Sequence, residues 1–280
     1  VSISTTLLRQ DLTSDLQDGF VSTLTGNGST SLSYDTTKLP EFADGFLAGG
    51  WQKFTATAAG SAANFGLVRK VRNFTAANGE LEALAVWPAA TLSGDTYEWH
   101  RRFPPALKDL ALVRALPLVY PDLYTPVEDR SILTVADTQV YSMAAITGLW
   151  DKPARVLLEE SDGNLKPAKE LMNWRVRRDG TVRYLEFPYS LPAGRTLRLE
   201  LMTAIQAGAT VAIDSREEPV LLAQAALWLY QNEWGRATGQ AKEQLKADLD
   251  FWKGELAARK ADLRMAPLKP TVHIPSSIKR

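Results

Sequence analysis

The stretch from Ser215 to Arg264 constrains the fold most, because it alone reads as long helix throughout. Ser215 and Glu218 stand at capping-box spacing, Glu217 and Glu218 place negative charge on the first turn, and Pro219 is tolerated only there, before interior hydrogen bonding begins. From Val220 to Tyr230 the sequence is apolar on nearly every face, and such a helix must be covered on more than one side. Gly235 and Gly239 interrupt it. A second helix is expected from about Gln240, with Leu245, Leu249, Trp252, Leu256 and Leu263 forming a heptad-type seam broken at Arg259. The rest of this helix is heavily charged with both signs, which describes a rod of about 37 Å docked by one edge. The seam closes a helical hairpin within one subunit, packs in part against a neighbouring subunit, or does both.

The rest of the chain has to cover those helices, and its totals limit how. The 280 residues, 45% hydrophobic and 23% charged, suit a folded protein of two ordinary domains. Basic and acidic residues number 32 each, so no net field draws the chain onto nucleic acid or an anionic membrane, and DNA is expected to be tolerated more than gripped. The absence of cysteine excludes disulfides, thiolate nucleophiles and cysteine metal ligands. No apolar run reaches the roughly 18 residues of a membrane span, and the N-terminus lacks the pattern of a signal peptide, so folding in cytoplasm and no membrane partner are expected.

Leu8, Leu12 and Leu16 give a short amphipathic helix within residues 4 to 19. Short β-branched and aromatic runs follow at Ser31 to Tyr34, Trp51 to Thr57, Phe65 to Phe74, Leu81 to Val86 and Thr96 to Trp99, with hairpin signals at Asn78-Gly79 and Gly94-Asp95. The Ala58 to Ala63 loop is expected as an exposed tip. Pro104-Pro105 opens a helix from Ala106 to about Leu116; Pro117 and Pro121 are expected to stop it by Tyr120, with Pro117 either ending or only kinking it. Thr125 to Thr210 is strand-like again, with turns at Asp162-Gly163, Asp179-Gly180 and Pro192 to Gly194. The expected fold is therefore α+β. A small β unit with its leading helix spans 1–103, a helical layer 104–124 with 214–264, an inserted β domain 125–213, and an extended proline-bearing arm 265–280. Leu268, Val272, Ile274 and Ile278 make the arm more apolar than a solubilising tail, as suits a segment laid on a partner or added to its sheet.

Catalytic signatures are missing. The two histidines, His100 and His273, lie in no ligand spacing or nucleophile turn, and no phosphate-binding or nucleophile-elbow motif occurs. Glu217-Glu218 is explained by capping and Asp248/Asp250 by a solvated helix face, leaving Glu159-Glu160 as the pair a hydrolase would use. Neither an enzyme activity nor a cofactor or metal is expected. Arg69-Lys70-Arg72, Arg101-Arg102 and Arg175-Arg177-Arg178 read as strand-surface charge paired with acids. A functional reading has Arg175, Arg177 and Arg178 touch channel DNA or an acidic partner. The eight tryptophans are scattered over both β units and the helices, which suits cores and interfaces better than one sugar platform.

The early Leu7-Leu8, Asp44-Gly45 before Trp51, Arg69 to Phe74 and Gly94-Asp95-Thr96-Tyr97-Glu98 together resemble the N-terminal β unit of neck proteins from tailed double-stranded DNA bacteriophages. Phe103-Pro-Pro-Ala106, Arg114-Ala-Leu116 and Tyr120-Pro121 resemble the helix that follows it, although the Ile-Asn-x-Ala-Leu type of core found in many relatives is degenerate here. Gln139-Val-Tyr141, Trp174 to Phe187 and Gly194 to Arg198 resemble the inserted β unit, and Glu217-Glu218-Pro219 through Tyr230 resembles the C-terminal helices of head-to-tail adaptors. The resemblance spans nearly the whole chain and is carried by turn glycines and apolar spacing. It implies a virion structural protein of the head-tail interface: a ring, commonly a dodecamer, that joins the portal protein to the tail or further neck proteins and lets genome DNA pass during ejection. Trp228, Tyr230, Trp234 and Trp252 on the helices, with Leu268, Val272, Ile274 and Ile278 on the arm, are then the expected subunit or portal contacts. The alternative is a tail-associated host-surface or carbohydrate-binding protein.

Overall fold

Two units divide the chain, one built from the segment up to Val119 and from Ala207 onward, the other from Tyr120–Gln206. A computed structural model describes residues 2–146, 153–159 and 168–265. The arm expected over 265–280 lies outside them beyond its first residue, as do Trp150 and Glu160. The fold is mixed α and β, with a curled six-stranded sheet and C-terminal helices.

In the first unit, β1 (Ser2–Ser4) runs into α1 (Thr5–Asp15), whose N-terminus is capped by Ser4 Oγ accepting from the Leu7 amide. Leu8 and Leu12 are fully buried, as their spacing predicts. The helix stops earlier than expected, since β2 (Gly19–Thr23) already belongs to the sheet. With β3 (Leu32–Tyr34), β4 (Trp51–Ala56), β5 (Val68–Thr75), β6 (Glu80–Ala83) and β7 (Thr96–His100) it forms an antiparallel sheet in the order β2-β7-β4-β5-β6-β3. The two edges approach each other after β2, where the Thr25 amide donates to the Tyr34 carbonyl at 3.0 Å. Phe54, Leu81, Trp87, Tyr97 and Trp99 fill the curl. At Asn78-Gly79 the chain turns from β5 to β6. Gly79 has φ 57°, and a Cβ there would stand 2.3 Å from the Asp35 carbonyl oxygen, so only glycine fits.

The Ala58 to Ala63 stretch is exposed at Ala59, Gly60, Ala62 and Ala63 as expected, but it is ordered: Ala59–Asn64 forms 3-10 turns in which Ser61 and Asn64 are buried. Asp95 accepts from the Ala58 amide at 2.8 Å and from Ser61 Oγ at 2.6 Å, and so pulls the loop onto the sheet.

Helix α2 (Pro105–Val119) begins where Pro104-Pro105 predicts but runs through Pro117, which corrects its expected end near Leu116. Pro117 falls in the last turn, where only the bond to the Val113 carbonyl is lost. The expected long helices are α3 (Glu218–Trp234) and α4 (Gln240–Met265). Helix α3 packs against α1, α2 and α4, which buries it almost all round. Its start corrects the capping-box assignment. The reciprocal pair is Asp214 with Glu217: the Glu217 amide donates to Asp214 Oδ1 at 3.2 Å, and the Asp214 amide to Glu217 Oε2 at 2.8 Å. Along α4, Leu245, Leu249 and Trp252 are buried and Leu256 and Leu263 half-buried. At the break in the seam, Arg259 reaches the Pro219 carbonyl and Asp15, both at 2.9 Å. A strand the sequence did not reveal, β15 (Thr210–Ala212), pairs with β1 across two hundred residues.

The second unit holds β8 (Thr125–Leu133), β9 (Val140–Ser142), β10 (Arg155–Glu159), β11 (Lys169–Glu170), β12 (Arg175–Asp179), β13 (Val182–Glu186) and β14 (Thr196–Thr203). They form a four-stranded sheet β11-β10-β14-β8 and a three-stranded sheet β12-β13-β9, antiparallel throughout. Both contribute to one core that includes Val156, Leu185, Phe187, Leu197 and Leu199. Strand β14 alternates half-buried and buried residues along its whole length, the period-2 signature of a strand with one core face.

Candidate functional site

Strand β7 lies between β2 and β4, and its side chains alternate between two covered faces. Tyr97 and Trp99 enter the core of the sheet. Glu98 and His100 point the other way, where α1 presents Arg9 and Thr13 and α2 presents Lys108. All of these polar residues are buried; Lys108 and His100 have no exposed surface at all.

The network they make is continuous. Arg9 donates to both oxygens of Glu98, at 2.8 and 2.9 Å, and to Asp109 at 2.7 Å, while Lys53 also approaches Asp109 at 3.5 Å. Lys108 Nζ meets Asp18 at 2.7 Å, Thr13 Oγ1 at 2.9 Å and His100 Nδ1 at 2.9 Å. Asp18 accepts in addition from the backbone amides of Arg102 and Phe103. An ammonium donating to Nδ1 fixes the ring as the Nε2–H tautomer, which donates to Glu98 at 3.0 Å. Burial, with the Lys108 charge beside it, pushes the His100 pKa down, so the imidazole is neutral. Burial opposes the Glu98 charge, but the bonds from His100 and Arg9 and the Arg9 charge outweigh it and hold the carboxyl at about 2. Burial likewise lowers Lys108, against the pull of Asp18. Arg9, Lys53 and Lys108 balance Asp18, Glu98 and Asp109.

A lysine, a neutral histidine and a carboxylate in series have the composition of a proton relay. Their sealing denies a substrate access to any reacting atom. The arrangement fastens α1 and α2 to β7. Sequence reasoning passed over it, although Lys108 carries a signal: it occupies the same helix face as Pro105, Ala111, Leu112, Ala115 and Val119, all buried.

The basic pair Arg101-Arg102 divides its work. Arg101 lies over the Phe46 ring, whereas Arg102 bridges Glu233 at 2.8 Å and Asp248 at 3.4 Å and stacks on Tyr230 with 4.9 Å to the ring centroid. Arg102, Glu233, Arg236, Gln244, Leu245 and Asp248 are among the residues that line an open cleft of about 440 Å³. Of the expected contact residues, Tyr230 is buried edge-on against Phe103, and Trp252 is buried between Phe251 and Arg259. Trp228 and Trp234 are half-buried, with Lys242 over the Trp234 ring. Leu268, Val272, Ile274 and Ile278 lie outside the described residues.

On β12, Arg175 and Arg177 both meet Glu186, at 2.7 and 2.6 Å, and Arg177 also covers Tyr184. Arg178 sits on the opposite face of the strand, across from Arg183. The three arginines therefore do not form one surface. Glu159, the described member of the Glu159-Glu160 pair, takes Arg130 at 3.5 Å and Arg198 at 3.7 Å.

Among the described residues no group of three or more His, Cys, Asp or Glu side chains is placed to hold a metal ion, and no helix is long and apolar enough to cross a membrane. No protein family, curated protein or solved structure matches the chain.

Proposed function

We propose that the protein is a structural virion component of a tailed-phage neck, a ring of identical subunits that joins portal to tail and encloses a passage for the genome. The observation that carries this reading is the distribution of polar and apolar groups on the first unit. The groups best suited to chemistry are sealed, while Leu110, Val113 and Leu118 of α2 and Phe251 of α4 are 42 to 58% exposed. Large apolar side chains on the outer faces of rigid helices suit binding between proteins. The finer architecture implied by the resemblance, a helical layer around a channel with an inserted β domain and a C-terminal arm, belongs to the same proposal. The balanced charge suits a wall past which DNA moves without being held.

In this reading the virion neck is the protein's final location, and Leu268, Val272, Ile274 and Ile278 anchor the arm on the portal. Deleting Pro267 to Arg280 tests that part. Subunit melting is expected to stay unchanged while sedimentation with purified portal weakens, and unchanged portal binding removes the arm from the proposal. The carbohydrate-binding alternative gains nothing from Trp87, Trp99 and Trp252, which are at most 5% exposed and unavailable for stacking on a sugar.

A further inference from the structure

Helix α4 repeats every seven residues. Leu-Lys-Ala-Asp-Leu, Trp-Lys-Gly-Glu-Leu and Arg-Lys-Ala-Asp-Leu begin at Leu245, Trp252 and Arg259. The first and fifth positions supply the seam that docks on the subunit. On the far side the third and seventh positions give Ala247, Phe251, Gly254, Ala258 and Ala261, spaced by four and three residues, and all are exposed. Gly254 is unexplained within the subunit. Glycine inside a helix costs about 1 kcal/mol relative to alanine, yet a Cβ here would meet no atom within 4 Å. The small stripe leaves room for a close approach from outside, and Phe251 stands beside that room.

The charges select the occupant. The acid row Asp248, Glu255 and Asp262 borders the stripe on one side; on the other, past Glu243, Asp250, Ala257 and Arg264, runs the row Lys246, Lys253 and Lys260. Their contacts within the subunit include Lys253 with Asp250, Glu255 with Arg259 and Asp248 with Arg102, at 3.3 to 3.4 Å on exposed or half-buried side chains, where such pairs are weak. A two-fold parallel pairing about the stripe sets Glu243 and Asp250 against the acid row. An antiparallel one sets acid row against acid row. Both symmetric pairings are repulsive. Side-by-side parallel packing alone brings the lysine row of one copy along the acid row of the next, and a head-to-tail contact of that kind closes into rings.

We infer that the outer face of α4 is the seam between neighbouring subunits, its occupant α4 of a second copy, in parallel, with the lysine and acid rows in register and Phe251 and Gly254 at the contact. This rests on the ring reading and gives it an interface.

Reversing one row at a time tests it. Lys253→Glu with Lys260→Glu, and separately Glu255→Lys with Asp262→Lys, place like charge against like at every seam. Each variant alone is expected to weaken assembly about tenfold or more. An equal mixture of the two is expected to recover wild-type assembly, because alternating copies match at every contact of an even-numbered ring. Recovery also shows that both variants fold. A second measurement needs no charge reversal: Lys253→Cys with Glu255→Cys, in a chain that otherwise has no cysteine, is expected to give a ladder of covalent multimers with a short bismaleimide. Variants that each assemble like wild type, or an assembled ring that gives no ladder, overturn the α4 seam and leave the ring reading standing. A wild-type chain that stays a single subunit, with purified portal added, overturns both.

Discussion

Lys108 shows how much of this protein is decided by single buried charges. Its ammonium has three partners and no solvent, so removing it strands the Asp18 carboxylate on two backbone amides. Lys108→Met is expected to cost about 3–5 kcal/mol in urea unfolding, and adding Asp18→Asn to recover part of the loss, because the damage is the unpaired partner and not the missing bond. The network also fixes an acid response. His100 is held neutral below its ordinary 6.5, so the unfolded chain binds a proton there first and stability falls as pH drops through that value. Glu98, held at about 2 against an ordinary 4.5, adds stability on the order of 3 kcal/mol that is present above 4.5 and lost as pH falls towards 2. Urea midpoints measured against pH should therefore decline in two stages. His100→Gln, which keeps an acceptor for Lys108 and a donor for Glu98, should remove the upper stage alone. The network was hardly legible in the sequence, because Arg9, Asp18, Glu98 and Lys108 are ordinary surface residues until strand alternation and helix phase bring them together. Only the phase of Lys108 carried a signal, and it was passed over.

Among the elements, those with a strong local period were legible and those made by long-range pairing were not. Helix α3 announced itself by an apolar run, α4 by its seam, and β14 by strict alternation. By contrast β1 and β15 have three residues each and exist only because they meet. The errors at helix ends have simple causes. Asp is as good an N-cap as Ser, and Asp214-x-x-Glu217 stands one residue ahead of Ser215-x-x-Glu218 with the same spacing. Asp214→Ala is expected to lower stability by about 1 kcal/mol, whereas Ser215→Ala should stay within about 0.5 kcal/mol; thermal melts of the two variants separate them. Pro117 was expected to end or kink α2, and the helix runs past it because a proline in the last turn sacrifices one bond near solvent. Pro117→Ala is expected to raise stability by roughly 1 kcal/mol, read from the same melts.

For the molecule as a whole, sealed charge, balanced surface and exposed apolar side chains on stiff helices make one argument. In the reading proposed here, a protein whose best-connected polar cluster is sealed, and whose helices expose large apolar side chains, acts by what it touches. The mixed α and β character and the C-terminal helices were readable from period and turn residues. What the faces of α2 and α4 meet was not, because exposure is a property of the packed subunit. The mass of the assembled protein, measured by native mass spectrometry alone and with purified portal, tests the ring most directly. A single closed species at a fixed multiple of the subunit mass, twelve copies in the arrangement proposed, is the expected result. A lone subunit under both conditions would contradict it.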